Sequence, residues 1–123
     1  MDNTADKSKP MMVMISGPYT HGSADPAVWS RNHAYLNELA LAVFRKGHVP
    51  VLGVNAFLPV IEAAGTDIYA MMPLCLHLAD RCDAVLRMGG ASAGADQEVA
   101  VFVAKGLPVF YSLEELPACA PGI

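Results

Sequence analysis

Charge is scarce in this sequence. Lys, Arg, Asp and Glu make up 16% of its 123 residues, and the formal net charge is −4. A protein that tracks a nucleic-acid backbone needs a basic face, so DNA and RNA polymers are not expected partners. Cysteine is sparse too. Cys75, Cys82 and Cys119 are odd in number and form no CxxC, which spells out neither a disulfide framework nor a zinc site. His21, His33, His48 and His77 are scattered without an HExxH, so no metal centre is expected. No run of about 18 apolar residues exists, and no membrane span is expected. The opening MDNTADKSKP lacks the apolar core of a secretory signal. With reduced thiols, this makes a cytoplasmic protein the expectation.

What the sequence does have is apolar bulk, at 54%. That favours a large buried fraction and a subunit interface, hence a homo-oligomer. The length suits one compact domain and is too short for two. Residues 1–10 read as a polar, disordered tail and 11–123 as a single domain.

Met11–Ser16 (MMVMIS) is a continuous apolar run, read as a buried strand leading into GPYTHG. Asp25-Pro26 is a helix entry, and Leu36, Leu39, Ala40, Val43 and Phe44 keep helical spacing until Gly47. His48–Gly53 reads as a second strand. Residues 54–66 are ambiguous, with LPVIEAAG a candidate short helix ending at Gly65. Helical spacing returns over Asp67–Arg81, where Pro73 either kinks the helix or starts a new segment. Ala84–Met88 is a third strand, Ala95–Lys105 a helix stopped by Gly106, and Pro108–Ser112 a fourth strand. SLEE (Ser112–Glu115) has the capping-box pattern of a short last helix. Alternating strands and helices with continuously apolar strands imply a parallel sheet covered on both faces, with right-handed crossovers.

In such a sheet, ligands bind beyond the carboxyl ends of the strands. Three segments emerge there: Ser16-Gly17-Pro18-Tyr19, Gly53-Val54-Asn55 and the loop from Gly89 to Gly94. In GGASAGADQE, Gly89, Gly90 and Gly94 open backbone conformations closed to other residues, and the helix start behind them attracts an anion. Ser92 adds a hydroxyl. The loop is neither a Walker P-loop nor a dinucleotide GxGxxG. Glu98 lies about one turn into the helix, about 40° from Phe102 and about 60° from Ala95, on the border of the buried stripe. The helix end favours its ionised form. Two readings stand: a carboxylate aimed at a ligand, or a first-turn Glu that complements the helix dipole.

Two blocks carry a resemblance. ISGPYT (Ile15–Thr20) is similar to the first-strand signature of the nucleoside 2-deoxyribosyltransferase-like superfamily, and CDAVLRMGGASAGADQEVAVFVAKGLPVF (Cys82–Phe110) resembles its second half. The match runs over residues 11 to 112 and is nearest the small bacterial branch of that superfamily. It implies a flavodoxin-like or Rossmann-like three-layer α/β sandwich with a parallel sheet of four or five strands. It also implies that Glu98 is a nucleophile that attacks the anomeric carbon of a nucleoside or nucleoside 5′-monophosphate, forming a glycosyl-enzyme ester. Tyr19 would line the pocket, and Ser92 with the Gly94 region would hold sugar hydroxyls or a phosphate, without metal or cofactor. Water or a second base would complete hydrolysis or transfer; the small chain favours hydrolysis.

One position departs from that pattern. Many relatives carry an Asp eight residues before the Asp opening strand three; here that place is Cys75, which leaves the proton donor unassigned. A nucleotide-binding or sensing module without turnover is therefore the second reading. A third is a relative of the phosphoribohydrolases with a PGGxGTxxE loop, although Met88 and Ala95 replace its Pro and Thr.

Other residues keep two readings each. Gly17, Pro18 and Tyr19 line a ligand edge, or Tyr19 packs on a neighbour. Asn55 reaches the pocket or forms a turn, and Asp83 supports a site loop or caps a helix end. Arg31 and Asn32 meet a phosphate or lie on a solvated face. Trp29 walls the pocket or is ordinary packing. His21 belongs to a lid or to the surface. Met11, Met12, Met14, Met71 and Met72 read as core filler, Cys75 and Cys82 as buried thiols.

Overall fold

The computed structural model describes residues 9–119. The disordered tail expected over residues 1–10 lies, except for Lys9 and Pro10, outside the described residues. Four parallel strands form one open sheet in the order β2-β1-β3-β4: β1 (Met12–Ser16), β2 (Val49–Val51), β3 (Ala84–Arg87) and β4 (Val109–Phe110). Four α-helices join them: α1 (Pro26–Arg45), α2 (Gly53–Ala64), α3 (Met71–Ala79) and α4 (Ala93–Lys105). A 3₁₀ turn, Ile68–Ala70, leads into α3. This is the flavodoxin-like or Rossmann-like three-layer arrangement.

Pairing of Val13 with Ala84 and Met14 with Val85 makes β1 and β3 the central strands. Side chains alternate across a strand, so Val13 and Ile15 go to one face and Met14 to the other. On the first face, Val13, Ile15 and Leu86 meet Leu36, Leu39 and Val43 of α1, together with Leu116. On the second, Met14 and Val85 meet Phe102 of α4 and Met71, Cys75 and Ala79 of α3.

The helix boundaries follow local chemistry. The Asp25 carboxylate accepts from the Ala27 amide at 2.9 Å, and Pro26 starts α1. Ser92 caps α4 by accepting from the Ala95 amide at 3.1 Å, so the helix starts two residues earlier than the expected Ala95. The ambiguous stretch 54–66 is helical from Gly53 despite Pro59, and Gly65 closes it in the left-handed conformation. Gly53-Val54-Asn55 is thus the first turn of α2 rather than a loop. A Cβ on Gly53 would lie 2.5 Å from Cys75 Sγ, so only glycine lets α2 begin this close to α3. Pro73 falls in the first turn of α3, where a missing amide is harmless.

The expected last helix is a single turn. Its capping bonds form, with Glu115 N donating to Ser112 Oγ at 3.3 Å and Tyr111 N to Glu115 Oε1 at 3.2 Å. Pro117 then disfavours helical backbone at Leu116 and supplies no amide. The segment runs on as a strap across the sheet's amino end. Lys46 Nζ donates to the carbonyls of Leu113 and of Leu116, the latter at 2.8 Å. Cys119 N donates to Lys46 O at 2.7 Å. Buried His48 accepts from Met11 N at Nδ1 (3.0 Å) and donates from Nε2 to Pro117 O (2.6 Å). Among the described residues, no helix is long and apolar enough to cross a membrane.

Candidate active site

A cavity of about 410 Å³ opens over the carboxyl ends of β1 and β2, beside the start of α4. The loop after β1 contributes Gly17, Tyr19 and His21; α2 contributes Gly53 and Val54; the 3₁₀ turn contributes Ile68 and Tyr69. Met71, Met72 and Cys75 come from α3, and Ser92, Gly94 and Glu98 from the start of α4. The wall is mainly apolar, with few polar groups, as small-ligand sites generally are.

Glu98 is half-buried, and its carboxylate is held from two sides. Ser16 Oγ, at the end of β1, donates to Glu98 Oε1 at 2.6 Å. The Cys75 thiol donates from α3. The carboxyl is pushed up to about 7, because burial disfavours the charge more than the Ser16 hydrogen bond, the Arg87 guanidinium and the Cys75 hydrogen bond favour it. The helix end was expected to keep Glu98 ionised; burial outweighs it. Burial, then the nearby Glu98 charge and the hydrogen bond to it, push the Cys75 thiol up to about 12. Cys75 is thus a fixed hydrogen-bond donor rather than a nucleophile or acid.

Of the residues expected to bind ligand, Gly17, Tyr19, Ser92 and Gly94 line this cavity with Glu98. Tyr19 is braced by Trp29 and His33, with ring centroids 6.2 and 6.1 Å away, and Asn32 Nδ2 donates to its carbonyl at 2.7 Å. Burial, then the charge of Glu62, raises its hydroxyl above the usual range. Gly17 is glycine for a steric reason: a Cβ there would sit 2.5 Å from Met88 O. Ser92 keeps its hydroxyl hydrogen while its oxygen caps α4.

The remaining candidates lie elsewhere. Gly89 and Gly90 line a second cavity of about 470 Å³ behind the loop, with Arg87, Asp96 and Tyr111. Pro18 packs against Gly89, whose φ of +89° suits glycine and whose added Cβ would be 2.9 Å from the Pro18 ring. Asn55 turns to α1, where its amide donates to Asn37 Oδ1 and its oxygen meets His33 Nε2, each at 2.7 Å. It is outside the cavity because the first turn of α2 points its side chain toward α1, while Gly53 and Val54 face the cavity. Asp83 is at the opposite end of the sheet, where its carboxylate accepts from Met12 N at 2.8 Å and fixes the β1–β3 register. It cannot support the site loop from there. Arg31 is exposed on α1.

Three residues act on Glu98 or its loop in ways that the sequence reading did not assign. Ser16 is the last residue of an apolar strand, a polar break that was the one available signal. Cys75 is 23 positions from Glu98 and meets it only through tertiary packing. Arg87 grips the Gly-rich loop from behind, donating to Met88 O at 2.9 Å and Gly90 O at 2.8 Å, with Asp96 at 3.7 Å. Among the described residues, no group of three or more His, Cys, Asp or Glu side chains could hold a metal ion. No protein-family model and no curated protein matches the chain.

Proposed function

We propose that this protein cleaves the N-glycosidic bond of a nucleoside or nucleoside 5′-monophosphate, with Glu98 as nucleophile. The observation that carries the reading is the Glu98 carboxylate on the wall of a mainly apolar cavity, oriented by Ser16 and Cys75 beside the start of α4. Two donors fix the rotamer, and a single anion in an apolar surrounding suits an oxocarbenium-like transition state, where positive charge develops on the sugar. Attack by Glu98 gives a glycosyl ester; water then releases the sugar, or a second base accepts it. The amides at the start of α4 and the Ser92 hydroxyl would meet sugar hydroxyls or a phosphate. The resemblance to the 2-deoxyribosyltransferase-like superfamily in ISGPYT and in Cys82–Phe110 supports the same chemistry.

The test is release of free base from a panel of nucleosides and nucleotides, followed chromatographically. The expected result is turnover of at least one member and its loss in Glu98→Ala; unchanged turnover in that variant removes Glu98 from the mechanism. The second reading, a nucleotide-binding module without turnover, draws on Cys75, whose thiol is held protonated where relatives carry an Asp. Tight binding with no base released would favour it. Cytoplasmic location and homo-oligomerisation belong to the same proposal; light scattering at the 13.0 kDa of one chain would count against the oligomer.

A further inference from the structure

Cleavage through Glu98 needs a proton for the departing base, because an unprotonated nitrogen is a poor leaving group. The cavity narrows the choice. Among its described lining residues, Cys75, Tyr19, Tyr69, His21 and Glu98 carry exchangeable protons on acidic or basic groups. The Cys75 thiol is spent on Glu98, and burial makes Tyr19 a weaker acid than usual. Tyr69, like His21, is exposed at the rim, and a phenol is a far weaker acid than an imidazolium. His21 remains, and an imidazole is the side chain suited to trading a proton near neutrality.

Its geometry is unusual in two ways. His21 has φ +51°, the one non-glycine residue with positive φ among the described residues. Such backbone costs free energy and tends to mark functional sites. Its Nδ1 is 3.0 Å from Ala91 O, across from the loop after β1 to the Gly-rich loop. A carbonyl can only accept, so Nδ1 carries the hydrogen of that bond. The ring is thereby oriented, and Nε2 is left for a ligand. A catalytic imidazole is commonly set up by an acceptor on its other nitrogen.

We propose that His21 is the general acid of the site; this rests on the glycosidic reading above. As Glu98 forms a bond to the anomeric carbon, the carbon–nitrogen bond breaks and its electron pair goes to the base. That nitrogen takes the proton from Nε2 of the imidazolium. In the second half, water attacks the same carbon, the ester oxygen returns to Glu98 as carboxylate, and the water's proton passes to Nε2. Both groups end as they began.

The test compares two leaving groups on the sugar that the protein accepts: the natural base and 4-nitrophenolate, which departs without a proton. His21→Asn and His21→Gly both suit positive φ, so the loop keeps its path. Read as kcat/KM, which covers only the steps up to the glycosyl ester, base release is expected to fall by about 10²- to 10³-fold in both variants, while kcat/KM for 4-nitrophenol release changes by less than about threefold. Added imidazole should restore base release in His21→Gly. Equal losses on both substrates, or no loss on either, would overturn the role of His21 while leaving Glu98 in place. If the unmutated protein releases neither leaving group, the glycosidic reading itself fails, and this inference with it.

Discussion

Burial draws the Glu98 carboxyl from its ordinary 4.5 up to about 7, which ties stability and activity to pH in opposite directions. The folded chain binds this proton more tightly than the unfolded chain. The resulting stability is complete below about pH 4.5 and is lost as the pH rises through about 7. Glu98→Gln removes the titration, so its stability relative to the parent should improve between pH 5 and pH 8 by about 2–3 kcal/mol, read from urea unfolding. The proposed activity runs the other way on its acid limb, since attack needs the carboxylate: base release should rise with pH through about 7. Ser16 and Arg87 both favour the charged form. Ser16→Ala and Arg87→Gln should therefore move that acid limb upward, by about one pH unit, in a pH–rate profile. Glu98 could be placed on the border of a buried stripe from helical period alone. Its partners could not, because Ser16 is 82 residues away and the pairing exists only once β1 and α4 meet.

Strands and long helices announced themselves through patterning, and the order of elements followed from four apolar runs separated by helical spacing. The errors fall where one local signal opposed a tertiary one. Residues 54–66 read as ambiguous, with only LPVIEAAG a candidate helix, yet α2 forms from Gly53 because its apolar residues are absorbed by both cores. The capping box at Ser112 argued for a helix that Pro117 cuts to one turn. Asn55 and Asp83 were drawn toward the site by their positions next to strands, which say nothing about the direction a side chain takes. At the element scale one close crossing, against backbone, is between the loop after β1 and the end of β3. Gly17→Ala would put a Cβ 2.5 Å from Met88 O, a backbone atom. It should cost about 1–3 kcal/mol by chemical denaturation and disturb the cavity wall as well.

The whole molecule separates two jobs at two ends of one sheet. The carboxyl end carries the cavity, and the amino end carries the strap, where Lys46 and His48 take carbonyls from residues 113 to 117. Removing the ammonium in Lys46→Met leaves two carbonyls without their donor. Stability should fall by about 1–3 kcal/mol in thermal or urea unfolding, with base release at 25 °C unchanged. The single imidazole of His48 touches both Met11 and Pro117, so the first strand's entry and the chain's late segment are one ring apart. Two points that close can be joined by a short peptide, and the molecule can be opened afresh at a surface turn such as Gly65-Thr66. A rewired chain of that kind, or a partner grafted at this rim, would sit behind the cavity and leave its entrance clear.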